Sequence, residues 1–285
     1  SALAASLQVL DLADNYKDLG DWIAGSMRPL NSLSALTSLD MSGCDLPCIP
    51  PQLSAMGSLQ ALQLSGNRMT GARAKAWEPL RQLTCLTLLD LGQCHLAYLP
   101  QQLSCLTALA ELSLFGNWEM DLYFDEGGPA AAPAQSAAAE ASSWQPLLSL
   151  GTSLTSMNLR SCSIAALPAG FTSLSALVKL DLSGNSGLGA AADSDFQPLS
   201  CLVALKVLGL NSVELARIPP QLKLLPVLEE LRLWGNQSLG DQGPELGRQL
   251  FELSALTSLE LGGGMRKDPY TEGVLELMRA RGVYV

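Results

Sequence analysis

"LTSLDMSGCDLPCIP" (Leu36–Pro50) and "LQALQLSGNRMTGAR" (Leu59–Arg73) open on one frame: an apolar residue at positions one, four and six, and a polar or thiol residue at nine. The frame L-x-x-L-x-L-x-x-[N/C] recurs ten times, beginning at Leu7, Leu36, Leu59, Leu86, Leu109, Leu154, Leu177, Leu205, Leu228 and Leu256. The intervals are 29, 23, 27, 23, 45, 23, 28, 23 and 28 residues, so long and short units alternate throughout. The ninth position alternates with them: Asn15, Cys44, Asn67, Cys94, Asn117, Cys162, Asn185, Val213, Asn236 and Gly264. The true period is therefore a pair of units, and a chain with such a period folds as a stack of repeats.

Short units continue as C-x-[L/I]-x-x-[L/I]-P, in "CDLPCIPPQL", "CHLAYLPQQL" and "CSIAALPAGF", with "VELARIPPQL" carrying Val for Cys. The fixed Pro blocks a continuous helix and predicts a compact extended or 3₁₀ crossing. Long units carry a bulky-x-Pro-Leu signature at Met27–Leu30, Trp77–Leu80, Trp144–Leu147 and Phe196–Leu199. There the bulky residue is expected to end a short helix that Pro stops. The ninth unit, with "LGRQL", departs from this signature.

The frame resembles the leucine-rich repeats, and the resemblance covers nearly the whole chain. It implies an α/β fold, a solenoid curved like a horseshoe. A parallel sheet of about 10–11 short strands would line its concave face, with helices, 3₁₀ turns and extended segments on the convex face. One domain would span residues 1–285. Alternating leucines point into the core, and positions three, five and seven point outward. The resemblance also makes Asn15, Cys44, Asn67, Cys94, Asn117, Cys162, Asn185 and Asn236 a structural ladder. Its amides bond backbone groups of neighbouring units, and a thiol, a weaker donor, is small enough to be buried in their place. Val213 and Gly264 lack that side-chain bond, so the ladder is expected to weaken towards the C-terminus.

At the C-terminal end, a cap over 265–285 is expected. Thr271 caps a helix bearing Val274, Leu275, Leu277 and Met278, Gly282 stops it, and Val283 and Val285 form a short eleventh strand aligned with Leu259 and Leu261. At the other end no cap is visible, which implies a missing preceding segment. The fifth unit holds an insertion at about 118–146, acidic and aromatic at first and then rich in Ala, Pro and Ser. It reads as a surface expansion or as a flap that touches a partner.

Composition narrows the function. The formal net charge is −10, and the first 142 residues hold 14 acids against 6 bases. That balance argues against nucleic acid and anionic membrane surfaces and is compatible with a basic partner. No apolar run is long enough to span a bilayer. Seven cysteines without a paired framework point to a reducing, intracellular compartment, taken as cytoplasmic. Ladder cysteines lie two strands apart, roughly 9–10 Å, too far for a disulfide. His95 is the sole histidine and sits inside a regular short unit, and no metal-ligand spacing or phosphate loop appears. No enzyme, cofactor or small-molecule substrate is expected.

The outward face remains. Asp11, Asp40, Asp90 and Asp181 recur at position five, either as an acidic stripe or because Asp suits that strand position. Phe115, Arg160, Arg232 and Trp234 supply the aromatic and basic side chains common at binding hot spots. The resemblance implies a non-catalytic protein-interaction module within a larger protein. Alternatives are a structural subunit of an assembly, or a regulatory domain modulating a GTPase or phosphatase or serving an immune sensor.

Overall fold

Every repeat contributes a three-residue strand, and each strand occupies frame positions three to five. The computed structural model describes residues 6–15, 28–69, 74–118, 144–189, 193–262 and 269–285. The chain divides into two compact units, Ser1–Leu154 and Thr155–Val285. The first holds β1 (Val9–Asp11), β2 (Ser38–Asp40), β3 (Ala61–Gln63), β4 (Leu88–Asp90) and β5 (Glu111–Ser113). The second holds β6 (Ser156–Asn158), β7 (Lys179–Asp181), β8 (Val207–Gly209), β9 (Glu230–Arg232) and β10 (Ser258–Glu260). Within each unit sequential strands pair in parallel, position three to three and five to five.

The strands are short because position eight is left-handed. Asp14, Gly43, Gly66, Gln93, Gly116, Ser161, Gly184, Ser212 and Gly235 all have φ between 50° and 80°. Short units add a second such residue just past the ladder position: Asp45, His95, Ser163 and Glu214. That backbone requirement accounts for His95, since Asn, Asp and His are the side chains that best tolerate the region. At some long units Gly meets a further demand at position eight. A Cβ at Gly116 would lie 2.9 Å from Gln93 Cγ, and one at Gly184 2.6 Å from Ser161 Oγ. At Gly116, Gly184 and Gly235 the preceding short unit's Gln93, Ser161 or Ser212 side chain fills the space the glycine leaves.

Positions one, four and six form the core. Leu36, Leu39, Leu59, Leu62 and Leu64 are fully buried, each contributing about 2 kcal/mol of apolar burial. At the start of the first unit Leu7, Leu10 and Leu12 are only half-buried.

Opposite the strands, short units cross as 3₁₀ helices at Pro51–Ala55, Gln101–Cys105, Ala169–Ser173 and Pro220–Leu224, as the Pro spacing predicts. Long units differ from expectation. Pro79 and Pro198 do not stop a helix but lie inside nine-residue 3₁₀ helices, Ala74–Gln82 and Asp193–Cys201. Trp77, Trp144 and Phe196 of this signature are buried, so it is a packing anchor that sets the wider crossing. Met27 falls outside the described residues. The departing ninth unit forms an α-helix, Pro244–Phe251.

The final helix, Pro269–Ala280, begins before Thr271. Thr271 therefore does not cap it; its hydroxyl donates to the Gly243 carbonyl at 3.2 Å, tying the helix to the start of Pro244–Phe251. Val274, Leu275 and Met278 are buried but Leu277 is exposed, because position 277 falls off the packed stripe. Gly282, at φ 87°, turns the chain back. The returning segment makes a single parallel bridge, Ser258 to Tyr284. Val285 therefore aligns with Leu259, two residues from the expected register, since the helix and turn take up the extra length. Most of the insertion, 119–143, lies outside the described residues.

Candidate binding face

The ladder beneath the face explains the alternation of amide and thiol. Asn67 Oδ1 accepts the N–H groups of Cys44 (3.1 Å) and Leu46 (2.9 Å), while Nδ2 donates to the carbonyls of Met41 (2.9 Å) and Leu64 (2.6 Å). Asn117, Asn185 and Asn236 repeat all four bonds on Cys94/Leu96, Cys162/Ile164 and Val213/Leu215 and the matching carbonyls. Each long unit thus clamps the short unit before it. Among the described residues Asn15 Nδ2, at the first repeat, donates to its own unit's Leu12 and Ala13 carbonyls.

The reverse junction is simpler. Cys44 Sγ–H donates to the Leu12 carbonyl and Cys94 Sγ–H to the Leu64 carbonyl, both at 3.1 Å. At that same junction Met69 N–H reaches the Cys94 carbonyl directly, at 3.1 Å, so no side-chain acceptor is needed. Cys162 Sγ lies 3.6 Å from the Arg160 carbonyl. Burial pushes the Cys94 thiol up to about 12 and raises Cys44 as well, keeping both protonated as donors. None of the seven cysteines is in a disulfide. At Val213 the N–H is still held by Asn236, so the weakening expected there is confined to the missing thiol donor.

Above the ladder, position five has a local task. The Oδ1 atoms of Asp11, Asp40, Asp90 and Asp181 accept the position-seven N–H of Ala13, Ser42, Gly92 and Ser183 at 2.8–2.9 Å, and Asn158 does the same for Arg160. Gly209 and Arg232 cannot accept. There the preceding unit substitutes: Ser183 Oγ takes Asn211 N–H at 3.1 Å, and Asn211 Oδ1 takes Trp234 N–H at 2.8 Å. Sequence reading missed this relay, although the coincidence of a non-accepting position five with Ser or Asn at the preceding position seven was its signal.

The aromatic and basic residues fall in both units. Phe115 belongs to the first unit, half-buried beyond β5, whereas Arg160 follows β6 and Arg232 and Trp234 follow on and after β9, three strands away. Arg232 pairs with Glu230 at 2.6 Å, and Trp234 is 55% exposed. Trp118, 61% exposed, lies 6.0 Å from the His95 ring. Among the described residues no group of three or more His, Cys, Asp or Glu is placed to hold a metal ion, and no helix is long and apolar enough to cross a membrane.

Solved structures share this fold, three of them as follows. Internalin C2 of Listeria monocytogenes matches with a TM-score of 0.56 at 20% identity, over 82% of this chain and 82% of that one. The leucine-rich repeat-containing protein LegL7 of Legionella pneumophila matches at 0.53 and 16%, over 96% and 98%. A TLR13–ssRNA13 complex matches at 0.59 and 22%, over 94% of this chain and 34% of that one. The fold is that of a leucine-rich repeat protein. No protein-family model matches the sequence, and neither does any curated protein. Within each unit the backbone at positions three, five and seven is held by the strand pairing and, where position five is Asp or Asn, by the position-five turns.

Proposed function

We propose that this leucine-rich repeat chain is a non-catalytic protein-interaction module within a larger intracellular protein, and that its outward strand positions carry the contact. The observation that supports this most is Trp234, a large aromatic side chain left 55% exposed on a backbone held by Asn211. A rigid exposed indole binds with little loss of side-chain entropy, the property that makes Trp a frequent hot spot. On the first unit Asp11, Asp40, Asp90 and Glu111 stand at outward positions that include no Lys or Arg. After accepting one backbone bond each aspartate still has a second carboxylate oxygen, which favours a basic segment of the partner.

The TLR13 structure holds single-stranded RNA. The acidic first unit opposes such a ligand here, because phosphates need cationic partners. The reading is tested by quantitative capture on the immobilised chain. Phe115→Ala with Trp234→Ala is expected to lower recovery of the dominant protein partner about ten-fold. Recovery equal to that of the unaltered chain, or recovery of RNA alone, overturns it.

A further inference from the structure

Three exposed side chains share one side of the sheet at the C-terminal end of the second unit, and neither the ladder nor the turns use them. Trp234, at position seven, leans towards the next repeat: a Cβ placed on Gly262 would come 3.2 Å from its Cδ1 atom, so the indole rests on that glycine. Glu260 lies two residues before Gly262 and points to the same side of the sheet, exposed. Tyr284 is bridged in parallel to Ser258, two residues earlier again, with its N–H on the Thr257 carbonyl at 2.8 Å and its carbonyl taking Leu259 N–H at 2.7 Å. Bridge partners share a face, so Tyr284, 81% exposed, stands on the same side as Ser258 and Glu260.

Strand spacing and rise place such diagonal neighbours roughly 8 Å apart at Cα, within reach of aromatic and long side chains. Glu260 thus lies on the diagonal between Trp234 and Tyr284, one exposed aromatic on each flank. Among the described residues the cation opposite Glu260 in register is Arg232, which is itself paired with Glu230 at 2.6 Å. Two π faces beside one carboxylate select a cation, whose charge is attracted by the rings and balanced by the acid.

We infer that Trp234, Glu260 and Tyr284 form a receptor for a basic side chain, a guanidinium or ammonium group presented by the protein partner. Asn211 and Gly262 are its positioning residues, the first holding the Trp234 backbone and the second giving the indole its seat. This deepens the interaction reading and rests on it.

The test uses the whole chain with ¹⁵N-labelled tryptophan, the Trp234 indole resonance being identified by its loss in Trp234→Phe. Acetyl-Gly-Arg-Gly-amide, the same peptide with neutral citrulline, and tetramethylammonium are titrated separately. A saturable Trp234 shift with the arginine peptide is expected, at least about ten-fold weaker with citrulline and weakened similarly by Glu260→Gln. Tyr284→Phe should bind like the unaltered chain and Tyr284→Ala more weakly. Equal response to citrulline, or Glu260→Gln binding unchanged, overturns the site. Response to tetramethylammonium alone overturns its assignment to a protein side chain. These outcomes are independent of partner capture, which can succeed elsewhere on the face while this site fails.

Discussion

Asn67 Oδ1 receives the backbone N–H of Cys44, 23 positions earlier, and with it the N–H of Leu46. The alternation of amide and thiol is therefore a division of labour. The amide holds the N–H groups of the short unit behind it, and the thiol only caps a carbonyl of the long unit behind it. Leu64 O already accepts Asn67 Nδ2, so losing the thiol of Cys94 leaves that carbonyl bonded.

Replacing the two residue types is expected to cost very different amounts. Asn67→Ala or Asn117→Ala strands two buried N–H groups and should destabilise by about 2–4 kcal/mol. Cys94→Val, which copies the natural Val213, should cost less than about 1 kcal/mol. Urea unfolding of the three variants checks the order, and equal losses would contradict the division.

The ladder thiols also impose a pH dependence. Folding raises Cys94 from the ordinary thiol value of 9.0 to about 12. Its contribution is fully present below pH 9. As pH rises from about 9 to 12 the unfolded chain releases the proton first, so stability falls. The urea midpoint should drop over that window, and the drop should be smaller in Cys94→Val. At pH 8 an alkylating reagent should modify exposed Cys85 and Cys201 quickly and leave Cys44, Cys94 and Cys162 unmodified until unfolding.

Gly189 separates steric from conformational demands. Its φ of −74° suits any residue, yet a Cβ there would strike the backbone of Val213 and Glu214. Because backbone cannot swing aside, Gly189→Ala should destabilise by about 3 kcal/mol. Gly57, with nothing within 4 Å of its Cβ position, should accept Ala with little change. Thermal melts of the pair test the contrast.

The exposed Trp234 should matter for binding and hardly at all for folding. Trp234→Ala removes a side chain that is 55% exposed and is expected to shift stability by less than about 1 kcal/mol. Asn211→Ala leaves the indole in place but frees its backbone, and is expected to weaken partner binding with a smaller effect than Trp234→Ala. Melting curves and binding isotherms on the same samples resolve the two effects.

Much of the fold was legible because repetition multiplies a weak signal. One L-x-x-L-x-L is ambiguous, whereas ten in register place every strand at positions three to five. The alternation of Asn67 with Cys94 was visible for the same reason, and Pro50 and Pro100 announced the 3₁₀ crossings that follow them. What was hidden depends on contacts between repeats. Asp40 reads as a surface charge until the Ser42 N–H is seen on it, and Pro79 reads as a helix stop until it appears within Ala74–Gln82. Glu260 and Tyr284 could not be joined to Trp234 from sequence, because the register of the last bridge depends on how much chain the final helix consumes.

Site-specific photocrosslinking tests the proposal of an outward binding face most directly. Benzoylphenylalanine replaces Lys179 or Ser258 on the sheet side and, in separate samples, Ser104 or Ser173 on the 3₁₀ crossings, and each is irradiated with the captured partner. The account predicts one dominant adduct from positions 179 and 258 and none from 104 and 173. Adducts from the crossings with none from the sheet side would contradict it and make the opposite surface the binding one.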